Sequence, residues 1–361
     1  MSPDSDRGTG RRGTTAGCTR WPVVAAVVTI VFSGCGSSPM TAAGSDGSTP
    51  SATSVATLGG GTLTVRAGLN DPRDSTIAVQ QFLPAALTVA VGTEVDWTIA
   101  GPEPHSVTFL PPGQTLPPPG SDTSLFAPTL PTGPYDGKTL LNSGVVPQGP
   151  GAPPPFKVTF STAGTYTFRC VIHPAMTGTV NVVDPGAKVD APAEVTTRGD
   201  AEAARWLDEG RAAKSALLAA PPRSHVNADG TTTYTVEMGT STAHTDVLAF
   251  GPLPASVKPK DSVTFVNNSG APHTATFPGQ RAAPQNPNTP EASKPAPGPT
   301  PQTLNATDLF NTGTLPPNAP PGSGPPEAAR SFTFVIPASG TYAYVCIFHA
   351  PSGMAGAIKA A

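Results

Sequence analysis

Two short stretches, far apart in this chain, are built to the same plan. One is Cys170-Val171-Ile172-His173-Pro174-Ala175-Met176. The other is Cys346-Ile347-Phe348-His349-Ala350-Pro351-Ser352-Gly353-Met354. Each follows a strand-like run, residues 164–169 and 340–345, and each has a histidine far upstream at the start of another run, His105 to Phe109 and His273 to Phe277. The histidine-to-cysteine separation is 65 residues in one case and 73 in the other. Both are stretched by proline-rich insertions, 111–155 and 278–325. An internal repeat of this kind means two copies of one structural unit.

The runs that fill each copy alternate apolar and polar residues, the period of a half-buried strand. In the first copy they cover 63–66, 86–91, 94–99, 105–109, 156–160, 165–170 and 178–183, with turns at Gly92-Thr93 and Gly101-Pro102. In the second they cover 232–238, 255–259, 262–266, 273–277, 331–336 and 340–347. Seven or eight short strands without helical periodicity predict an all-β chain of two β-sandwiches. The intervening segment differs. Ala203, Trp206, Leu207, Ala213 and Leu217 fall near helical spacing within 200–219, and Pro221-Pro222 ends the pattern. Gly210 weakens this helix by about 1 kcal/mol relative to alanine.

Period-two geometry aims the chemistry. Tyr166, Phe168 and Cys170 share one apolar face, as do Tyr342, Tyr344 and Cys346, so each cysteine points into its sandwich at a strand end. His105 shares a face with Val107 and Phe109 and also heads inward. His173 and Met176 lie on the loop that follows Cys170, close enough to wrap one ion. A thiolate, two imidazoles and a thioether are the donors of a blue-copper centre, a trigonal His₂Cys plane with a weak axial Met. The candidate ligands are His105, Cys170, His173 and Met176, then His273, Cys346, His349 and Met354. A buried structural cysteine with satisfied core histidines is the bland alternative, and repetition weakens it. A Cys170–Cys346 disulfide would require two inward-facing strand ends to meet. Met238 reads as packing, and His225 and His244, lacking partners at metal spacing, as exposed.

The N-terminus reads as an export signal. Arg7, Arg11, Arg12 and Arg20 precede an apolar run, 21–32, too short to span a bilayer. Ser33-Gly34-Cys35 follows, and the order resembles a bacterial lipoprotein signal in which Cys35 is lipidated; an ordinary cleaved secretory signal is the alternative. Residues 36–61 are mostly Ser, Gly, Thr, Ala and Pro, the composition of a disordered tether. The expected location is the cell envelope, exported and lipid-anchored to the outer face of the cell membrane. With 12% charged residues and a net charge of −3, nothing suggests nucleic acid as a partner.

Each half resembles a plastocyanin-type cupredoxin domain. The Cys-x2-His-x2-Met loop of the first is similar to the ligand loop of amicyanin; the Cys-x2-His-x4-Met loop of the second is closer to plastocyanin and pseudoazurin. The resemblance implies two tandem cupredoxin-like Greek-key β-sandwiches, 62–184 and 231–361, joined by a short helical linker, 185–230. It implies type 1 copper, two per chain, held by the eight residues named above. The function expected is electron transfer with a redox partner protein of unknown identity and no small-molecule substrate. Copper storage, delivery or tolerance is the alternative. A multicopper oxidase or nitrite reductase would need further histidines; the chain has six, four already assigned, and no His-x-His pair, so no enzyme is expected.

Overall fold

The computed structural model describes residues 62–118, 121–146, 154–280, 301–304, 307, 309–318 and 324–361. The signal 1–35, with Cys35, and the tether 36–61 lie outside the described residues. In the first half the strands are β1 (Leu63–Asp71), β2 (Asp74–Leu83), β3 (Ala86–Ala90), β4 (Glu94–Ile99), β5 (Thr108–Phe109), β6 (Leu141–Asn142), β7 (Phe156–Thr159), β8 (Gly164–Arg169) and β9 (Thr177–Val183). Helix α1 (Pro192–Ala219) follows. The second half holds β10 (Arg223–Val226), β11 (Thr232–Ser241), β12 (Thr245–Gly251), β13 (Ser262–Val266), β14 (Thr276–Phe277), β15 (Gln302–Thr303), β16 (Phe310–Asn311), β17 (Ser331–Val335), β18 (Gly340–Val345) and β19 (Ala355–Ala360).

Each half has its own core. Trp97, Phe82, Phe109, Phe160 and Phe168 fill the first, between β1–β2–β4–β7 and the sheet β3-β9-β8-β5-β6. Phe250, Phe265, Phe332, Phe334 and Tyr344 fill the second, against the sheet β16-β14-β18-β19. The alternation read from the sequence supplies these inward faces. The run expected over 255–259 forms no strand; Val257 only bridges to Ala360.

The joint between the halves holds strand pairing besides the helix. Strands β2 and β12 pair antiparallel, Thr245 with Val79, Asp246 with Ala78 and Val247 with Ile77. This fuses one sheet of each half into a single ten-stranded sheet, ordered β15-β17-β13-β11-β12-β2-β1-β4-β7 with β10 on β11. The order reads the same outward from its centre. Strand β1 lies between antiparallel β2 and parallel β4, and β11 lies between antiparallel β12 and parallel β13. The two halves are thus related by a pseudo-two-fold axis through the β2–β12 pair, the arrangement of an isologous dimer within one chain.

Helix α1, 28 residues rather than the 20 expected, covers the outer face of this joint. Ala203, Trp206 and Leu207 pack on Ile77, Val79 and Leu83, and Leu217 packs on Val247 and Ala249. Burial of a leucine such as Leu207 or Leu217 stabilises by roughly 1.5–3 kcal/mol. Gly210 marks a close approach: a Cβ there would lie 2.5 Å from methyls of Ile77 and Thr245. His244 is not simply exposed. Its ring stacks on Trp206 at 4.9 Å, and Nδ1 lies 3.3 Å from Glu209. His225, on β10, is exposed as expected. No helix among the described residues is long and apolar enough to cross a membrane.

Candidate metal centres

Cys170 and Cys346, both free thiols and fully buried, directly follow strands β8 and β18. The loops that follow turn back on themselves. Cys170 N–H donates to the Met176 carbonyl at 3.1 Å, and Met176 N–H to the His173 carbonyl at 2.9 Å. In the second half Cys346 N–H donates to Met354 at 3.0 Å, and Met354 N–H to His349 at 3.0 Å. Met176 and Met354 are buried in the same clusters as their cysteines. The upstream histidines arrive from the opposite direction, His105 bridging to Val146 and His273 to Leu315.

The structure brings the nitrogen and sulfur donors together in both halves, His105 with Cys170 and His173, and His273 with Cys346 and His349. In the second group Cys346 Sγ lies 3.6 Å from His273 Nδ1 and 3.4 Å from His349 Nδ1, and the two nitrogens are 3.1 Å apart. A triangle with sides of 3.1, 3.4 and 3.6 Å has a circumradius (product of sides over four times the area) of about 2 Å. That matches the bond length of a first-row metal to imidazole. The first group is wider, with Cys170 Sγ 4.0 Å from His105 Nδ1 and 3.5 Å from His173 Nδ1. Two soft sulfurs with two imidazoles suit copper, and the donor sets fit such an ion.

The surroundings are duplicated as well. Ser106 and Thr274, each one residue after the upstream histidine, point their N–H groups at the cysteine sulfurs, both at 3.4 Å. Their hydroxyls accept the N–H of Val171 at 2.8 Å and of Ile347 at 2.9 Å, tying the start of the ligand loop to the histidine strand. Thr108 and Thr276 extend each chain of hydroxyls to Asn142 and Asn311. Such outer contacts orient ligands and tune the metal.

Two glycines seat the histidine rings. Gly68 in β1 and Gly239 in β11 adopt positive φ, +74° and +82°, at bulges in their pairing. A Cβ on Gly68 would lie 2.0 Å from His105 Nε2, and one on Gly239 would lie 3.0 Å from His273 Nε2. Sequence reasoning missed Gly68, Gly239, Ser106 and Thr274, although their recurrence in both halves was a usable signal.

Burial keeps the imidazoles of His105, His173 and His273 neutral. It pushes His173 down to about 4, helped by the charge of His349, and His273 down to about 3. His105 is lowered by burial and then by His173. The rings are therefore free to ligate at neutral pH. The thiols differ. Burial raises Cys170. At Cys346 burial also raises the thiol, but the adjacent His349 and the N–H groups of Thr274 and His349 outweigh it, and the net direction is down.

A sandwich that delivers cysteine, two histidines and a buried methionine to one end of its core is cupredoxin-like. No family model matches the chain. A 105-residue stretch is 33% identical to plastocyanin from Dryopteris crassirhizoma, covering 28% of this chain and 87% of that protein. The chain belongs to the plastocyanin family. Among solved structures, a Cu(I) form of an amicyanin methionine mutant is 21% identical over 36% of this chain and 88% of that one, with a TM-score of 0.23. An oxidized proline mutant of amicyanin is 22% identical over 34% and 83%, with a TM-score of 0.21. The assignment rests on the plastocyanin alignment alone.

Proposed function

We propose that this protein is an exported, membrane-tethered electron carrier with two type 1 copper centres and no enzymatic activity. The observation that carries the reading is the donor group built twice, at one end of each sandwich, from the same residue types in the same order. Bound copper would supply one-electron chemistry between Cu(II) and Cu(I). The chain's part is to hold neutral imidazoles and a thiolate in a rigid, mostly dry setting, so that little rearranges when charge changes. Burial of Cys170, Cys346, His105 and His273 also favours a carrier over a copper-handling protein, because an exchangeable ion needs reachable ligands. The carrier would work with a redox partner protein, at the outer face of the membrane, anchored through a lipid on Cys35.

Copper loading tests the reading. The Cu(II) protein should be intensely coloured by thiolate-to-copper charge transfer and hold two coppers per chain. Cys170→Ser and Cys346→Ser should each remove about half the colour; loss from only one of them would reduce the count to a single type 1 centre. Cys35→Ala should move the protein out of the membrane fraction, and unchanged retention would remove the lipid anchor.

A further inference from the structure

The duplication is close to complete around the donors, and it fails at two places that meet. Counting back from the upstream histidine, Pro104 matches Pro272, and Glu103 matches Ala271. Counting forward from the cysteine, the second ligand loop has two more residues between histidine and methionine than the first. Ser352 lies in that longer loop.

Glu103 belongs to the first half, yet its carboxylate is buried against the second centre. Ser352 Oγ donates to Glu103 Oε1 at 2.7 Å. Glu103 Oε2 lies 3.4 Å from His349 Nε2, at the long end of hydrogen-bonding range. Ser75 Oγ, also from the first half, donates to the Ser352 carbonyl at 2.8 Å. Glu103 is 5% exposed, and among the described residues no lysine or arginine pairs with it. A buried carboxylate without a cation is costly, and a histidine whose far nitrogen holds a metal ion would offset that cost. No carboxylate approaches His173 among the described residues.

We infer that Glu103 is a positioning residue for the second centre, contributed by the first half, and that this centre is complete only when the halves are docked. The inference rests on the copper reading above for its metal and on the contacts alone for its geometry. With the His349 proton on Nε2, facing Glu103, Nδ1 is left as the acceptor that faces Cys346 Sγ and His273 Nδ1. A carboxylate behind a ligating imidazole fixes its tautomer and raises its basicity. The first centre has no such partner, so the two centres are inequivalent by construction.

The test uses the full chain with Glu103→Ala and Glu103→Gln. Alanine is what the second half carries at this position, so the backbone accommodates it. In metal-free protein, long-range nitrogen–proton NMR should find the His349 proton on Nε2. The signal should shift or exchange in Glu103→Ala and be restored in Glu103→Gln, whose amide oxygen still accepts. A proton on Nδ1, or a spectrum indifferent to Glu103→Ala, overturns the inference without reference to copper. For the metal, Cys170→Ser leaves only the second centre and Cys346→Ser only the first. Adding Glu103→Ala should weaken Cu(II) binding by about 10–100-fold in the former and under about threefold in the latter. Equal losses in both overturn the inference. Absence of copper from every variant, with the NMR result intact, would sink the copper reading and leave the positioning role standing.

Discussion

Ala78 and Asp246 face each other in the pairing of β2 with β12, and they are the same position of the two halves. Ala78 pairs with Asn70 in β1 as Asp246 pairs with Ser241 in β11. The pseudo-two-fold axis passes through this pair. One copy carries a methyl there and the other a carboxylate, buried and held by Ser241.

That carboxylate makes stability depend on pH. Burial pushes Asp246 up to about 6, the charge of Glu103 adds to it, and hydrogen bonds from Ser241 and Gln80 oppose it. The unfolded group titrates near 3.8. The folded state therefore prefers the protonated form. Its contribution is fully present below the unfolded value and is lost as pH rises through about 6, a swing of about 3 kcal/mol. Urea unfolding of wild type and Asp246→Asn between pH 4 and 8 should show the variant gaining on wild type as pH rises. A constant difference would remove Asp246 from the account.

Gly68→Ala and Gly239→Ala should each disturb the centre whose histidine they seat. At Gly68 the added Cβ meets the imidazole; at Gly239 it meets the Val247 carbonyl oxygen at 2.8 Å and the imidazole at 3.0 Å, and at both the positive φ strains any L-residue. The expected loss is about 1–3 kcal/mol in thermal unfolding. The colour change should be confined to the first centre for Gly68 and to the second for Gly239.

Ser106→Ala and Thr274→Val strip the hydroxyls that accept from Val171 and Ile347. A buried N–H then loses its partner, at about 1–3 kcal/mol. Amide exchange should accelerate at Val171 in one variant and at Ile347 in the other, before any global change.

Gly210→Ala should destabilise, against the usual rule. Alanine favours a helix over glycine by about 1 kcal/mol. Here its Cβ would strike the methyls of Ile77 and Thr245, and overpacking costs about 1–3 kcal/mol. A lower melting temperature is expected; a higher one would show that the helix can lift off the joint.

The candidate donor residues were legible because their signal is local. Cysteine at a strand end, histidine three residues on and methionine shortly after are fixed by chain geometry, and alternation told which face Cys170 and Cys346 share. The strands that join the halves gave no such signal. Residues 77–83 of β2 and all of β12 are buried on both faces, one by a sandwich core and the other by α1, so neither alternates. Period two marks a strand only where one face is wet.

The sequence by itself determined an all-β chain and the donor types it would offer, since both follow from short-range pattern and chemistry. Only the tertiary structure decided that the copies share one sheet, and that Glu103 of one stands behind His349 of the other. Those contacts join residues far apart in the chain, and nothing local to either partner encodes the distance between them.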